Sequence, residues 1–81
     1  MHEFALVQDL LENALTVMRS KNAKSVKTIE VDVGDSSGYS CESLRQAYDI
    51  MSAEMELKGT RLVLNDVKGR DVVLKRLVMA S

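Results

Sequence analysis

The sequence has no proline, no tryptophan, one phenylalanine, two tyrosines, one cysteine and one histidine in 81 residues. With aromatics at 4%, Leu, Val, Ile and Met must fill the core, and a stacking platform for single-stranded nucleic acid is excluded. A lone thiol, Cys41, rules out an internal disulfide and any zinc cage built from cysteines, and it suits a reducing compartment. Eleven basic residues against twelve acidic ones leave a net charge of −1, without the basic field that phosphate binding needs. No apolar run reaches membrane-spanning length. Glu3 and Asp9 stand where a signal peptide would carry basic residues. These absences point to a cytoplasmic single domain over 1–81 that binds neither nucleic acid nor membrane. At 46% apolar and 28% charged, the composition is that of an ordinary globular chain, near the smallest size that supports one core.

Apolar periodicity defines five elements. Phe4, Leu6, Val7, Leu10, Leu11, Ala14, Leu15 and Met18 recur at three- and four-residue intervals, the stripe of an amphipathic helix, with Leu10 and Leu11 expected at the centre of its buried face. The polar run Arg19-Ser20-Lys21-Asn22 ends it; cations suit the last turn and Asn22 suits a left-handed cap. In SVKTIEVDVG the period changes to two, with Ile29, Val31 and Val33 on one face and Thr28, Glu30 and Asp32 on the other. A loop over Gly34–Gly38 follows. Ser40 is the candidate N-cap of a second helix, with Glu42 in its first turn, a stripe of Leu44, Ala47, Tyr48, Met51 and Met55, and an end near Lys58-Gly59. TRLVLNDV and RDVVLKRLVM read as strands, and the short break at Lys68-Gly69 between them predicts an antiparallel hairpin. The order α-β-α-β-β, with one polar face on the strands, predicts an α+β two-layer sandwich: two helices on one face of a three-stranded mixed sheet.

The only histidine is the second residue, and that placement carries the candidate chemistry. Methionine before a bulky histidine is retained in the cell, so Met1 supplies an α-amine. Amines of this kind titrate near ~8 and imidazoles near ~6.5, and both must be deprotonated to bind a metal. An amine, the imidazole of His2 and one or two backbone amides form a nitrogen-rich tetragonal set, which favours Ni(II) or Cu(II) over Zn(II). The plain alternative is a solvated His2 on a frayed end. No nucleophile or acid–base constellation accompanies it, so an enzyme is not expected.

The opening MHE followed by a Leu-rich helix resembles the HypA/HybF family of nickel-insertion accessory proteins for hydrogenase maturation. The resemblance continues through VKTIEVDVGDSSGY, ESLRQAYDIM and GTRLVLNDV. It implies a metallochaperone holding Ni(II) at Met1, His2 and Glu3, through the Met1 amine, the His2 imidazole and amide, and the Glu3 amide. The Glu3 side chain is then a helper or partner contact, and the partners are a GTPase and metalloenzyme-maturation proteins. The family also carries a zinc ribbon of two CxxC pairs after the strand resembling GTRLVLNDV. Here VKGRDVV stands in its place, so no structural zinc is expected and a tight turn near 68–69 replaces the ribbon.

A competing possibility is an interaction module that keeps the scaffold without metal delivery, using a sheet edge or helix face to form a homo-oligomer or to dock on a larger assembly. The remaining features have ordinary explanations. Cys41 at the start of a helix is a reactive thiol if the dipole lowers its pKa, and otherwise a small structural residue. Met51 and Met55 fit core packing, GDSSG fits a turn, and Asp9 and Glu12 fit a solvated helix face.

Overall fold

The computed structural model describes residues 2–55 and 57–81. Its elements are α1 (His2–Ser20), β1 (Ser25–Gly34), α2 (Cys41–Ser52), β2 (Arg61–Val67) and β3 (Val72–Ala80). They form the predicted two-layer α+β arrangement, with both helices on one face of a three-stranded mixed sheet. Among the described residues no helix is long and apolar enough to cross a membrane.

Local chemistry accounts for the helix ends. The Ala23 N–H donates to Met18 O at 3.0 Å and the Asn22 N–H to Arg19 O at 3.1 Å, the two bonds of a Schellman stop. Asn22 takes the left-handed conformation it requires (φ 54°). Ser40 caps α2, its hydroxyl accepting from the Ser43 N–H at 3.1 Å. α2 ends at Ser52, one to two turns short of the expected Lys58-Gly59. The Leu57 N–H turns back to Ser52 O at 3.2 Å, which puts Leu57, 2% exposed, into the core. A helix continued to Gly59 would forgo that closure. Met51 and Met55 pack against the core as expected.

The core is made by Val7, Leu11, Ala14 and Leu15 of α1, Leu44, Ala47 and Tyr48 of α2, and Val26, Ile29, Val31 and Val33 of β1, with Leu57 and Leu62. Leu11 occupies the centre of the α1 face, whereas Leu10 is only partly buried. Val26 is buried out of step with Ile29 because the β1–β3 register shifts between Val26 and Thr28.

The sheet order is β2-β1-β3, and it overturns the expected hairpin. β2 pairs with β1 in parallel and β3 pairs with β1 antiparallel, so β2 and β3 lie on opposite sides of β1, about 10 Å apart. The connection at 68–71 crosses the end of β1. There, a Cβ on Gly34 would stand 2.4 Å from Gly69 O and 2.6 Å from Gly69 C; only a glycine admits the crossing backbone. Hydrogen bonds lash the two segments together. The Gly34 N–H donates to Asp71 O at 2.9 Å, Asp35 N–H to Val67 O at 2.7 Å and Ser36 N–H to Gly69 O at 2.8 Å. The Gly69 N–H returns a bond to Asp35 Oδ1 at 3.1 Å.

Each outer strand edge is managed differently. Along β2, α2 supplies a row of donors one helical turn apart: Arg45 Nη2 to Leu62 O at 2.8 Å and Tyr48 Oη to Thr60 O at 2.6 Å. Cys41 Sγ extends the row, contacting Asp66 Oδ1 at 3.4 Å. Burial pushes the Tyr48 phenol up, which keeps it a donor. Burial, and then the hydrogen bond to Asp66, raise the Cys41 thiol. β3 instead carries a bulge at Lys75, where the register shifts between Glu30 and Val31. A lysine in a bulge is an established guard against strand addition. On the face away from the helices, Asn65 Nδ2 bonds Glu30 Oε2 at 2.9 Å and Asp32 Oδ1 at 3.0 Å, and Arg76 Nε lies 3.2 Å from Glu30 Oε1.

Two outcomes follow from this geometry. Gly34→Ala, forcing a backbone overlap, lowers stability by about 2–3 kcal/mol, a fall in Tm of roughly 10–20 °C for a domain of this size. Inserting two residues between Lys68 and Gly69 restores most of that loss by freeing the crossing; thermal melts of both variants test it. Cys41 reacts with iodoacetamide near pH 8 several-fold more slowly than a free cysteine, and Asp66→Asn speeds the reaction. An alkylation rate equal to that of free cysteine would contradict the raised pKa.

Candidate metal-binding terminus

Of the residues expected to hold a metal, Met1 lies outside the described residues, and His2 and Glu3 form the start of α1. His2 is exposed and Glu3 partly so. What positions them is the stripe below. Val7 is the first residue of α1 to be buried, at 3% exposure, and from there the helix is clamped to the sheet. In the turn before it only Leu6 packs against the core, and His2, Phe4 and Ala5 are exposed.

The first N–H groups of a helix have no intrahelical acceptor. The amides of His2 and Glu3 are therefore not needed by the helix ladder, and Glu3 in the first turn is favourably placed in the helix dipole. Among the described residues, no three of His, Cys, Asp and Glu lie close enough together to hold a metal ion. A terminal chelate does not require such a cage, because it is assembled by wrapping the chain around the ion. Wrapping costs a local rearrangement: the helix holds ψ at about −42°, whereas successive backbone nitrogens that share one ion must swing into a common plane.

Beside the first turn, a depression of about 210 Å³ lies between α1 and α2, lined by Glu3, Phe4, Ser43, Gln46, Ala47 and Ile50. Phe4 continues the α1 stripe, yet it is 44% exposed, and Ile50 is 57% exposed. Stripe spacing alone predicted a buried Phe4 and did not single out Ile50. The missed signal is that Phe4 precedes the part of α1 that lies over the sheet. The helices are also acidic: Glu3, Asp9, Glu12, Glu42 and Asp49 stand against Arg19 and Arg45. Asp9 and Glu12 are exposed, as expected of a solvated face.

A second, larger hollow of about 420 Å³ runs beside β2, where Arg45, Tyr48 and Thr60 line it along with Arg61. Two of its polar groups, the Arg45 guanidinium and the Tyr48 hydroxyl, are already spent on the carbonyls of Leu62 and Thr60. The loop GDSSG is a turn, with Gly38 at φ 87°.

Comparison with known proteins bears on the whole arrangement. Residues 1–72 match the family model described as hydrogenase/urease nickel incorporation, metallochaperone, hypA. The hydrogenase maturation factor HypA of Methanocella arvoryzae is 33% identical over 67 residues, covering 83% of this chain and 59% of that protein. This chain thus spans less than two thirds of that relative's length. The solution structure of the Ni metallochaperone HypA from Helicobacter pylori superposes with a TM-score of 0.75 at 15% identity, over 95% of this chain and 85% of that one. A solution structure of HypA protein gives 0.65 at 14% identity, over 98% and 85%. At these identities the two structures speak for the fold, which is the one found here. With residues 1–72 inside the family model, the chain belongs to the HypA family.

Proposed function

We propose that this chain is a nickel-carrying accessory protein of metalloenzyme maturation and has no catalytic activity of its own. Ni(II) is its cargo, held by the Met1 amine, the His2 imidazole and the backbone amides of His2 and Glu3, and passed to a hydrogenase- or urease-type acceptor. The observation that carries this reading is the place of the only histidine: exposed, at the first residue of α1, in a member of a family described by nickel incorporation. A GTPase and other maturation proteins are the partners the family resemblance suggests. In this reading residues 1–81 act as one nickel-binding unit, the crossing at 68–71 takes the place of the zinc ribbon, and no structural zinc is needed. Residence in the cytoplasm fits a factor that loads enzymes there.

The chelate supports release as well as capture. Its donors bind only when deprotonated, so acidification frees the ion. The first turn of α1, rearranged to wrap the metal, returns to its helical form when a better acceptor takes the cargo. Because Val7 and the residues after it hold the helix, this exchange leaves the core in place.

Titration calorimetry on untagged protein should give one-to-one nickel binding near pH 7.5. His2→Ala and acetylation of the Met1 amine should each weaken it at least a hundredfold, and lowering the pH to 6 should weaken it at least tenfold. Equal binding by the native and His2→Ala chains would remove the carrier reading. In amide-resolved NMR the nickel-loaded protein loses the His2 and Glu3 signals while those from Leu10 to Ser20 stay in place. Survival of both amide signals at saturation would show that the backbone nitrogens are not ligands.

A further inference from the structure

We infer that the depression between the first turn of α1 and the outer face of α2 is a docking groove for a basic amphipathic helix of the nickel acceptor. The inference rests on the carrier reading for its purpose but on separate observations for its location. Phe4 and Ile50 are the exposed large apolar side chains of the helical layer, at 44% and 57%, and they line the same hollow of about 210 Å³. An aromatic and a branched aliphatic residue held open on rigid helices are the usual anchors of a helix-in-groove interface.

Elsewhere among the described residues the exposed large apolar side chains are Val73 and Val78 on β3, which flank the polar network of the open sheet face and line no hollow with an aromatic anchor. The β2 edge is capped by Arg45 and Tyr48, and the β3 edge carries the Lys75 bulge. The open sheet face holds a satisfied polar network through Asn65.

Charge selects the occupant. The groove lies on a helical layer whose carboxylates outnumber its cations, with Glu42 and Asp49 on the same helix as Ile50. A second copy of this chain would set acidic helices against acidic helices. A helix with leucine-like residues on one side and lysine or arginine on its flanks satisfies both the apolar anchors and the field around them. Two anchors and a shallow hollow give a small contact, well below the area of a permanent dimer. That suits a partner that must leave after taking its cargo. Glu3 lines the groove and neighbours His2, so a helix seated there brings the acceptor's ligands to the loaded terminus.

The test uses the full chain, nickel-free and nickel-loaded, with two synthetic 18-residue helical peptides: leucine on one face and lysine on the other, and the same design with glutamate for lysine. The lysine peptide is expected to shift the amide signals of Phe4 and of residues 43–50, and the glutamate peptide to leave them unmoved. Ile50→Asp should weaken the lysine peptide at least tenfold. Because that change adds a negative charge, simple attraction between opposite charges predicts tighter binding, so the direction is decisive. Phe4→Ser, a neutral change, should weaken it as well, with circular dichroism confirming that both variants fold.

Nickel affinity is expected to stay the same in Ile50→Asp, and peptide docking to survive in His2→Ala, so failure of the carrier reading is distinguishable from failure of the groove. The inference is overturned if Ile50→Asp binds the lysine peptide as well as the native chain does, or if the shifts centre on the open sheet face. It is equally overturned if sedimentation shows native protein dimerising through Phe4 and Ile50, with a second copy as the occupant.

Discussion

Among the described residues every strand-to-strand pairing is made with β1, and the place where β1 ends decides whether the others can flank it. β2 and β3 have no pairing with each other, so the link between them must pass over the top of the central strand. Gly34 makes room for that passage, and the backbone bonds from Gly34, Asp35 and Ser36 turn a steric accommodation into an attachment. With the crossing held, β2 and β3 present their inward residues on either side of Ile29, Val31 and Val33, and the two helices have a continuous surface to cover.

That surface determines what is left for chemistry. α2 sits over β2 tightly enough for its side chains to bond the outer carbonyls of Thr60 and Leu62, so its polar groups on that side serve the fold. α1 is anchored from Val7 onward, and the turn that precedes it contributes little to the core. The consequence is a division of labour along a single helix. Its body packs into the core from Val7 onward, while His2 and Phe4 in its first turn stay exposed.

Much of this architecture is visible in the chain itself. The alternation of Ile29, Val31 and Val33 with Glu30 and Asp32, the Ser40 cap and the Asn22 stop all act over a few residues, and all appear as expected. The strand order does not, because it depends on partners more than thirty residues away, and a short polar break is as compatible with a crossing as with a hairpin. Gly34 was the available clue: a glycine closing a strand marks a place where another backbone comes close. The early end of α2 has the same origin, since it is the burial of Leu57 that stops the helix and no local breaker does so. For the candidate site, the unusual position of His2 is plain in the sequence, and the structure places it exposed at the head of α1. The exposure of Phe4 and Ile50 is not, because it depends on how far each helix reaches beyond the sheet and its neighbour.

The central position of β1 also constrains how the chain reaches this structure. All β1–β2 pairs join residues 33 apart in sequence, and β1–β3 pairs join residues from 39 to 55 apart. No two neighbouring strands can zip from a turn. Closing a loop of that length costs entropy before any ladder bond repays it, so helices and hydrophobic collapse must bring the strands together first. A small domain of two helices and one short sheet therefore has the long-range connectivity associated with slower folding.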